Sequence, residues 1–215
     1  MAMIARDNAG ASIEKLENGV YTAISSMMID LGKQTSEKFG KTQRKFMMIW
    51  TILGEEIEIN GQKLPRTISK EYGYSLGEKS NLRKDLQAWR GVPFTAEELQ
   101  GFNLLNILNK PCQLQIIKEE KNGSTYNNIS SIMSLPKGTT VELLKDTSYF
   151  DLEDVETWKN YEKIPGWIQE KIKKASNFVE SGFNKFVKEY EELKKEQEGK
   201  QKESYDLDTK DDLPF

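Results

Sequence analysis

The chain has 215 residues, of which 37% are hydrophobic and 30% are charged, and its formal net charge is −3. That length suits one sizeable domain with extensions, and the polar composition indicates a compact core with a solvated appendage. No apolar run approaches the roughly 20 residues that cross a bilayer, and residues 1–12 lack the apolar segment of a signal peptide. We therefore expect a cytoplasmic protein that makes no membrane contact.

The chain contains no histidine and a single cysteine, Cys112. Without histidine it lacks the commonest general base, the Ser–His and Cys–His nucleophile pairs and the commonest transition-metal ligand. A lone cysteine cannot form a disulfide within the chain, and it disfavours a thiolate zinc site. We therefore expect no cofactor and no enzymatic activity, although this composition leaves carboxylate–magnesium chemistry open.

Charge is distributed unevenly along the sequence. Basic residues outnumber acidic ones from Lys33 to Arg90, whereas after Lys202 five acidic residues face only Lys210. A basic body followed by an acidic tail is typical of proteins that bind nucleic acids. Plain solubility explains the same pattern equally well.

Two segments rich in strand-forming residues open the folded part of the chain. Gly19–Leu31 and Arg44–Leu53 carry many β-branched, aromatic and Met residues and contain no proline. They flank the polar stretch GKQTSEKFGKTQ, so we predict two strands joined by a basic loop. The second strand is apolar in both alternation phases, and is therefore either sandwiched or carries a functional aromatic face.

Turn signals predict two hairpins further along the chain. Asn60-Gly61 and Asn122-Gly123 each lie between runs of strand-forming residues. Pro65 follows the first of these turns and indicates that its strand lies at an edge of the sheet, because proline cannot donate to a neighbouring strand.

Capping signals predict two helices between these hairpins. Ser80 suits the N-cap and Gly91 the end of a helix with the sequence SNLRKDLQAWRG. Thr95 and Glu98 have the spacing of a capping box at the start of the second segment, TAEELQGFNLLNIL.

The predicted element order matches a small antiparallel barrel with helices inserted before its last two strands. We predict a mainly β fold with helical additions: an OB-fold-like five-stranded barrel with a helical C-terminal extension and a disordered acidic tail. An open α+β sheet and a β-sandwich are the alternatives. The predicted boundaries are 1–18 for a lead-in, 19–140 for the barrel, 141–195 for the helical extension and 196–215 for the tail.

The predicted extension carries apolar residues that need partners. Trp158 and Trp167 are expected to pack against short helices. From Ser181 onward, the charged segment FNKFVKEYEELKKEQ has one apolar stripe. That stripe suits packing on the barrel or pairing with a second copy of the chain.

Cations and flat rings occur together in three stretches of the sequence. A groove that binds single-stranded nucleic acid needs both, since cations neutralise phosphates and rings stack on bases without sequence preference. We expect the stretches to line one groove, although Trp50 is more readily explained as core, and Tyr72 and Tyr74 equally well as caps of the barrel. The candidate DNA-binding residues are Lys33, Lys38, Phe39, Lys41, Arg44, Lys45, Trp50, Arg66, Lys70, Tyr72, Tyr74, Lys118, Lys121 and Tyr126.

The last five residues, Asp211, Asp212, Leu213, Pro214 and Phe215, follow an acidic stretch. This ending resembles the C-terminal tip of bacterial and phage single-stranded DNA-binding proteins. In such a tip the final residue carries both a ring and the α-carboxylate, so a pocket with a basic rim can hold both. The resemblance implies that these five residues recruit replication or repair enzymes.

The region Gly19–Gly138 contains the stretches LRKDLQAWRG, FT, EL, KPC and LPKG. Through these stretches it resembles a family of phage-encoded single-stranded DNA-binding proteins. The resemblance implies an OB-fold, DNA binding without strong sequence preference, and a role in phage replication or recombination inside the host cytoplasm.

The leading hypothesis is therefore a non-enzymatic protein that coats single-stranded DNA and recruits other proteins through its tip. A homo-oligomer is compatible with the sequence. The alternatives are an adaptor of the replication machinery with incidental DNA contact, an RNA-binding OB protein, and a magnesium-dependent nuclease.

Overall fold

The computed structural model describes residues 14–37, 40–59 and 61–208, and residues 197–208 are described by their backbone alone. Contacts divide the chain into two compact units. Unit 1 comprises Met1–Met28 and Met47–Ser148, and unit 2 comprises Ile29–Phe46 and Tyr149–Phe215. The division differs from the predicted boundaries, because Ile29–Phe46 group with the C-terminal residues and unit 1 extends to Ser148, beyond the predicted boundary at 140.

The described residues form strands, α-helices and short 3-10 helices. None of their helices combines the length and the apolar character that crossing a membrane requires. The strands are β1 (Gly19–Thr35), β2 (Thr42–Ile59), β3 (Gln62–Gly73), β4 (Pro111–Lys121), β5 (Ser124–Met133) and β6 (Ser148–Phe150). The helices are α1 (Asn81–Arg90), α2 (Gly166–Lys173) and α3 (Phe183–Asp208), with 3-10 helices at Leu104–Ile107 and Val155–Lys163.

Unit 1 is built on a curled antiparallel five-stranded half-barrel with the strand order β3-β2-β1-β4-β5. The two ends of this order approach each other, since β3 also contacts β5. Helix α1 lies in sequence between β3 and β4 and packs on both β3 and β5. This arrangement confirms the mainly β prediction with helical additions and is consistent with an OB-like α+β fold.

The strand register explains which side chains enter the core of unit 1. Strand β1 pairs antiparallel with β4, with Gly19 opposite Ile116. The pairing of β4 with β5 shifts between Gln115 and Ile116, which leaves one extra residue on β5. Because of this bulge, Ile129 and Ile132 are both buried although they are three residues apart.

Both predicted hairpins are confirmed. Strand β4 ends and β5 begins around Asn122 and Gly123, whose φ angles are 52° and 74°. Positive φ at both central residues is the requirement of the tightest hairpin turns. Strand β2 ends at Ile59, and Gly61 has φ 77° before β3 begins, while Asn60 lies outside the described residues. Strand β3 stands at one end of the strand order, as Pro65 predicts.

The first predicted helix is confirmed together with both of its caps. The side chain of Ser80 accepts a hydrogen bond from the backbone N–H of Arg83, and Gly91 ends the helix with φ 70°. The helix turns its apolar face inward. The buried apolar residues of α1 are Leu82, Leu86 and Trp89.

The second predicted helix is wrong, although its capping box forms. The backbone N–H of Glu98 donates to Thr95 Oγ1 at 3.2 Å, and the backbone N–H of Thr95 donates to Glu98 Oε2 at 2.9 Å. The chain then makes isolated turns and one short 3-10 helix. Gly101 interrupts the segment, and glycine costs about 1 kcal/mol relative to alanine in a helix.

The first two strands are longer than predicted, so the loop between them is shorter. Strand β1 continues to Thr35 and β2 starts at Thr42, and their hydroxyl groups are 2.8 Å apart. The backbone N–H of Ser36 donates to the carbonyl of Lys41 at 2.9 Å and closes the turn. Lys33 therefore lies on a strand rather than in a loop.

Unit 2 is organised around a cluster of aromatic side chains. Strand β6 pairs with β1, and α3 packs on the 3-10 helix Val155–Lys163. Helix α3 runs to Asp208, beyond the boundary at 195 that the sequence predicts for the helical extension. The clustered rings, each with a neighbouring centroid within about 6 Å, are Phe150, Trp158, Tyr161, Phe178, Phe183, Phe186 and Tyr190.

Gly32 marks the closest packing within unit 2. Its φ is +67°, and an added Cβ would lie 2.7 Å from Ala175 Cβ, 2.7 Å from Asn177 Oδ1 and 2.8 Å from Leu152 Cδ2. Those distances are shorter than van der Waals contact. Only glycine satisfies both the backbone conformation and the space at this position.

We predict that Gly32→Ala destabilises the protein by roughly 2–5 kcal/mol, because a left-handed conformation and overpacking each add a cost. Gly54→Ala is the matched control, since Gly54 has φ +80° but nothing within 4 Å of an added Cβ. That control carries only the conformational cost, about 1–2 kcal/mol. Urea unfolding followed by circular dichroism measures both, and equal losses would contradict the close packing at Gly32.

Candidate nucleic-acid interface

Trp50 belongs to the core of unit 1 and cannot stack on a base there. Its side chain is 0% exposed, and its ring centroid lies 6.0 Å from that of Trp89 on α1. Strand β2 is apolar in both phases because it is sandwiched, which resolves the ambiguity of the sequence. We therefore correct the assignment of Trp50 from DNA contact to core packing.

Cys112 serves as a small hydrophobic residue of the core of unit 1. It is free of disulfides and fully buried on β4. Burial raises the pKa of its thiol, and the neighbouring Trp50 side chain only partly opposes that shift. A thiol held in the protonated form is a poor nucleophile.

Tyr72 and Lys70 form a polar cluster with Asp85 of α1. The Tyr72 hydroxyl donates to Asp85 Oδ2 at 2.8 Å, and Lys70 Nζ lies 2.7 Å from the same oxygen. Tyr72 is 4% exposed, and burial, followed by the charge of Asp85, raises the pKa of its phenol. We correct both assignments: these side chains hold β3 to α1 and do not form a surface for bases or phosphates.

Arg44, which belongs to unit 2, is also engaged by acidic side chains. Its guanidinium nitrogens lie 3.0 Å from Asp30 Oδ2, 2.8 Å from Asp151 Oδ1 and 3.1 Å from Glu153 Oε2. Burial raises the pKa of the Asp30 carboxyl, and Arg44 opposes that shift. Arg44 is thus a structural counter-charge rather than the phosphate contact that its sequence context predicts.

The β4–β5 hairpin presents an exposed ring beside a cation. Tyr126 is 49% exposed, and Lys121 is exposed at the turn. Both line a pocket of about 490 Å³ together with Glu119, Asn122 and Asn128. The hairpin thus brings two predicted site residues, Lys121 and Tyr126, together at an exposed surface of unit 1.

The hairpin is nevertheless not strongly basic. Glu119 is the cross-strand neighbour of Tyr126 and accepts a hydrogen bond from Asn128 Nδ2 at 2.5 Å. Lys118 forms an ion pair with Glu17, and its backbone N–H donates to Asn18 Oδ1 at 2.6 Å. Lys118 is therefore partly neutralised, and Lys121 supplies the positive charge of the pocket.

Arg66 is half-buried within β3, and Tyr74 is exposed directly after the end of that strand. Strands β3 and β5 run in the same direction, since four antiparallel steps separate them in the strand order. Lys70 Nζ contacts the carbonyl of Ile129 at 3.5 Å, so the side chain of Lys70 reaches from β3 to β5.

The remaining predicted contacts fall in unit 2 or outside the described residues. Lys33 and Lys41 are exposed and Lys45 is half-buried, all in unit 2. Lys38 and Phe39 lie outside the described residues, as do the five residues of the predicted tip, 211–215. The expectation of one groove common to all three stretches therefore stays a prediction.

Sequence reasoning missed a second pocket in unit 1. Arg90 at the end of α1 lies over the rings of Phe94 and Phe102, 4.6 Å and 5.1 Å from their centroids, and pairs with Glu98. Hydrogen bonds from the Thr95 backbone and then from Arg90 lower the pKa of the Glu98 carboxyl. The pocket has a volume of about 490 Å³. Its only sequence signal was the capping-box spacing of Glu98.

Comparison with known proteins identified no relative that bears on this site. No family model matches the chain, and no curated protein matches its sequence.

We predict that Asp85→Asn destabilises the protein by about 1–3 kcal/mol, because it removes the counter-charge of Lys70 from a largely buried cluster. Glu97→Gln, on an exposed turn, is the control and should stay within about 0.5 kcal/mol of the parent. Urea unfolding measures both. Equal stability of the two variants would show that the cluster does not hold β3 to α1.

Proposed function

We propose that the protein binds single-stranded DNA without strong sequence preference, in replication or recombination. The observation that carries the proposal is the exposed ring of Tyr126 beside Lys121 on the β4–β5 hairpin of the half-barrel. A flat ring binds any base through its face, and an adjacent ammonium group binds the phosphate. The chemistry needs no catalytic residue.

The architecture of unit 1 supports the same proposal. An OB-fold is a five-stranded, partly open barrel, and its loop between strands 4 and 5 helps to bind oligonucleotides. The strand order of unit 1, the approach of β3 to β5 and the position of α1 between β3 and β4 favour this fold. On this proposal the helices of unit 2 form the C-terminal extension, and the acidic residues beyond them form the tail.

Surfaces elsewhere on unit 1 contribute to the proposed contact. Arg66 is half-buried on β3, and its guanidinium suits a phosphate contact. Tyr74 is 45% exposed and offers a second ring. The proposal thus retains Arg66, Tyr74, Lys121 and Tyr126 in unit 1 as DNA-contacting residues.

We expect Tyr126→Ala to weaken binding to a fluorescein-labelled oligo-dT by about 1–3 kcal/mol, the value of one base–aromatic stack. Tyr126→Phe keeps the ring and should bind like the parent protein. Fluorescence polarisation gives the dissociation constants of all three proteins. The same loss in the Phe and Ala variants would assign the effect to the hydroxyl and contradict stacking.

The phosphate contact is tested through its salt dependence. Lys121→Ala should lower the slope of log K against log salt by about one, because one counterion fewer is released. Lys84→Ala removes an equal charge from the exposed face of α1 and should leave the slope unchanged. Equal slopes for both variants would place the contact elsewhere.

The same assay distinguishes the rival functions. An adaptor with incidental DNA contact predicts no measurable oligo-dT binding at low salt. An RNA-binding protein predicts tighter binding of oligo-rU than of oligo-dT, and a magnesium-dependent nuclease predicts cleavage of the labelled strand.

We further propose that Asp211–Phe215 recruit replication or repair enzymes. The support is the resemblance in sequence, since these residues lie outside the described part of the chain. A ring that carries a carboxylate matches a pocket with a basic rim, and the preceding aspartates attract basic surfaces.

The acidic residues also suit a role as an internal competitor for the DNA surface. We predict that deletion of residues 206–215 tightens oligo-dT binding at low salt and has a smaller effect at high salt, because salt screens the competing charges. Polarisation titrations at two salt concentrations measure this. Unchanged affinity at low salt would exclude competition by the tail.

A further inference from the structure

The β4–β5 hairpin extends past the strand that lies beside it. The pairing of β1 with β4 ends at Gly19 opposite Ile116, whereas β4 continues to Lys121. Residues 117–121 and their partners on β5 therefore form a two-stranded projection that β1 does not accompany. A hairpin of two strands is only marginally stable in water, so this projection needs another support.

The projection presents different residues on its two faces. Residues directly opposite each other on paired strands point to the same side of the sheet. Glu119 is opposite Tyr126, and both lie on the face that carries the pocket. Lys118 is opposite Asn127, and both lie on the other side, the reverse face. Asn127 thus follows Tyr126 in the sequence but lies behind it in the structure.

The segment Leu16–Asn18, which precedes β1, supports this reverse face, and we call it the strap. The backbone N–H of Leu16 donates to Asn127 Oδ1 at 2.8 Å, and Asn127 Nδ2 donates to the carbonyl of Leu16 at 2.8 Å. Paired antiparallel strands exchange the same two kinds of hydrogen bond. The side-chain amide of Asn127 therefore binds the strap as a neighbouring strand would.

Further contacts hold the strap in place. The Glu17 carboxylate pairs with Lys118 Nζ, and Asn18 Oδ1 accepts the backbone N–H of Lys118 at 2.6 Å. On β1, the Tyr21 hydroxyl donates to the carbonyl of Glu17 at 2.9 Å. Leu16 is 5% exposed, so the strap also buries apolar surface. The strap therefore joins the start of β1 to the projecting part of the hairpin.

We propose that the strap holds the β4–β5 hairpin in the arrangement that binds single-stranded DNA, with Asn127 as its positioning residue. The inference rests on the proposed function and adds control of the same site by the segment that precedes β1. A hairpin held from behind presents the Tyr126 ring before DNA arrives, whereas a hairpin without its strap loses conformational freedom on binding. Affinity therefore falls when the strap is released.

The strap does not act by masking a cation of the pocket. Lys118, which Glu17 engages, lies on the reverse face, whereas Lys121 lines the pocket with Glu119 and Tyr126. Release of the strap frees no charge beside the ring. The expected direction of its effect on DNA binding is consequently a loss.

The first test uses the full chain without DNA. Asn127→Ala removes both hydrogen bonds to Leu16, so the backbone amides of residues 117–128 should exchange with deuterium about fivefold faster or more. Ser130→Ala is the matched control, because Ser130 is exposed on β5 and its hydroxyl donates to the carbonyl of Gln115 at 3.1 Å. Mass spectrometry measures the exchange. Parent-like exchange in the largely buried segment 47–52 shows that each variant is folded.

The second test links Asn127 to the ring. Asn127→Ala should weaken binding to fluorescein-labelled oligo-dT by roughly three- to tenfold, the cost of ordering about one side chain, and Ser130→Ala should not. Addition of Asn127→Ala to Tyr126→Ala should cause less than about a twofold further loss, because the strap acts mainly through the ring. A structural role unrelated to Tyr126 predicts additive losses instead.

The outcomes separate this inference from the proposed function. Oligo-dT binding by the parent protein that Asn127→Ala leaves unchanged or tightens overturns the inference alone, as do additive losses in the double variant. Unchanged exchange at residues 117–128 overturns the role of the strap as a support. Absence of binding by the parent protein overturns the proposed function, and with it the role of the strap in DNA binding.

Discussion

The half-barrel depends on the buried carboxylate of Asp85 and on the two groups that surround it. An ionised carboxylate taken out of water costs several kcal/mol unless it is paired and hydrogen-bonded. Lys70 and Tyr72, both on β3, supply the charge and the hydrogen bond at 2.7 Å and 2.8 Å. The cluster therefore fixes α1 against β3, near the gap where β3 meets β5. It also explains why two candidate DNA contacts serve the fold instead.

In unit 2, too, a buried carboxylate needs a positive partner, and a basic residue is used for it. Arg44 pairs with Asp30, which is almost fully buried, and with Asp151, which lies 107 residues further along the chain. A count of cations in the sequence does not reveal such pairs, because each partner looks exposed and independent in its own segment. Positive charge that remains for a ligand is found only after these internal pairs are removed. Among the candidate contacts, Lys121 in unit 1 and Lys33 and Lys41 in unit 2 are exposed, and Arg66 in unit 1 is half-buried.

Features decided by neighbouring residues were predictable. The hairpin turn at Gly123, the N-cap at Ser80 and the end of α1 at Gly91 follow from local backbone preference, and the structure contains all three. The capping box at Thr95 also forms, yet no helix follows, since a cap satisfies donors but does not supply the tertiary packing that most helices need. The grouping of Ile29–Phe46 with the C-terminal residues depends on contacts between distant segments, such as those around Gly32, and has no local signature.

The exposure of the aromatic rings shows where sequence patterns mislead about binding. Trp50 lies on a long strand that is apolar in both phases, and that pattern means coverage on both sides, here by Trp89. Trp167 lies on an eight-residue helix that buries only the stripe of Ile168 and Ile172, so a ring off that stripe reaches solvent. Exposed rings are instead found at Tyr126, near the turn end of β5, and at Trp167 on α2, whereas β2 supplies the core. Stacking on a base requires a ring whose face is not already covered, so only exposed rings are candidates for the proposed contact.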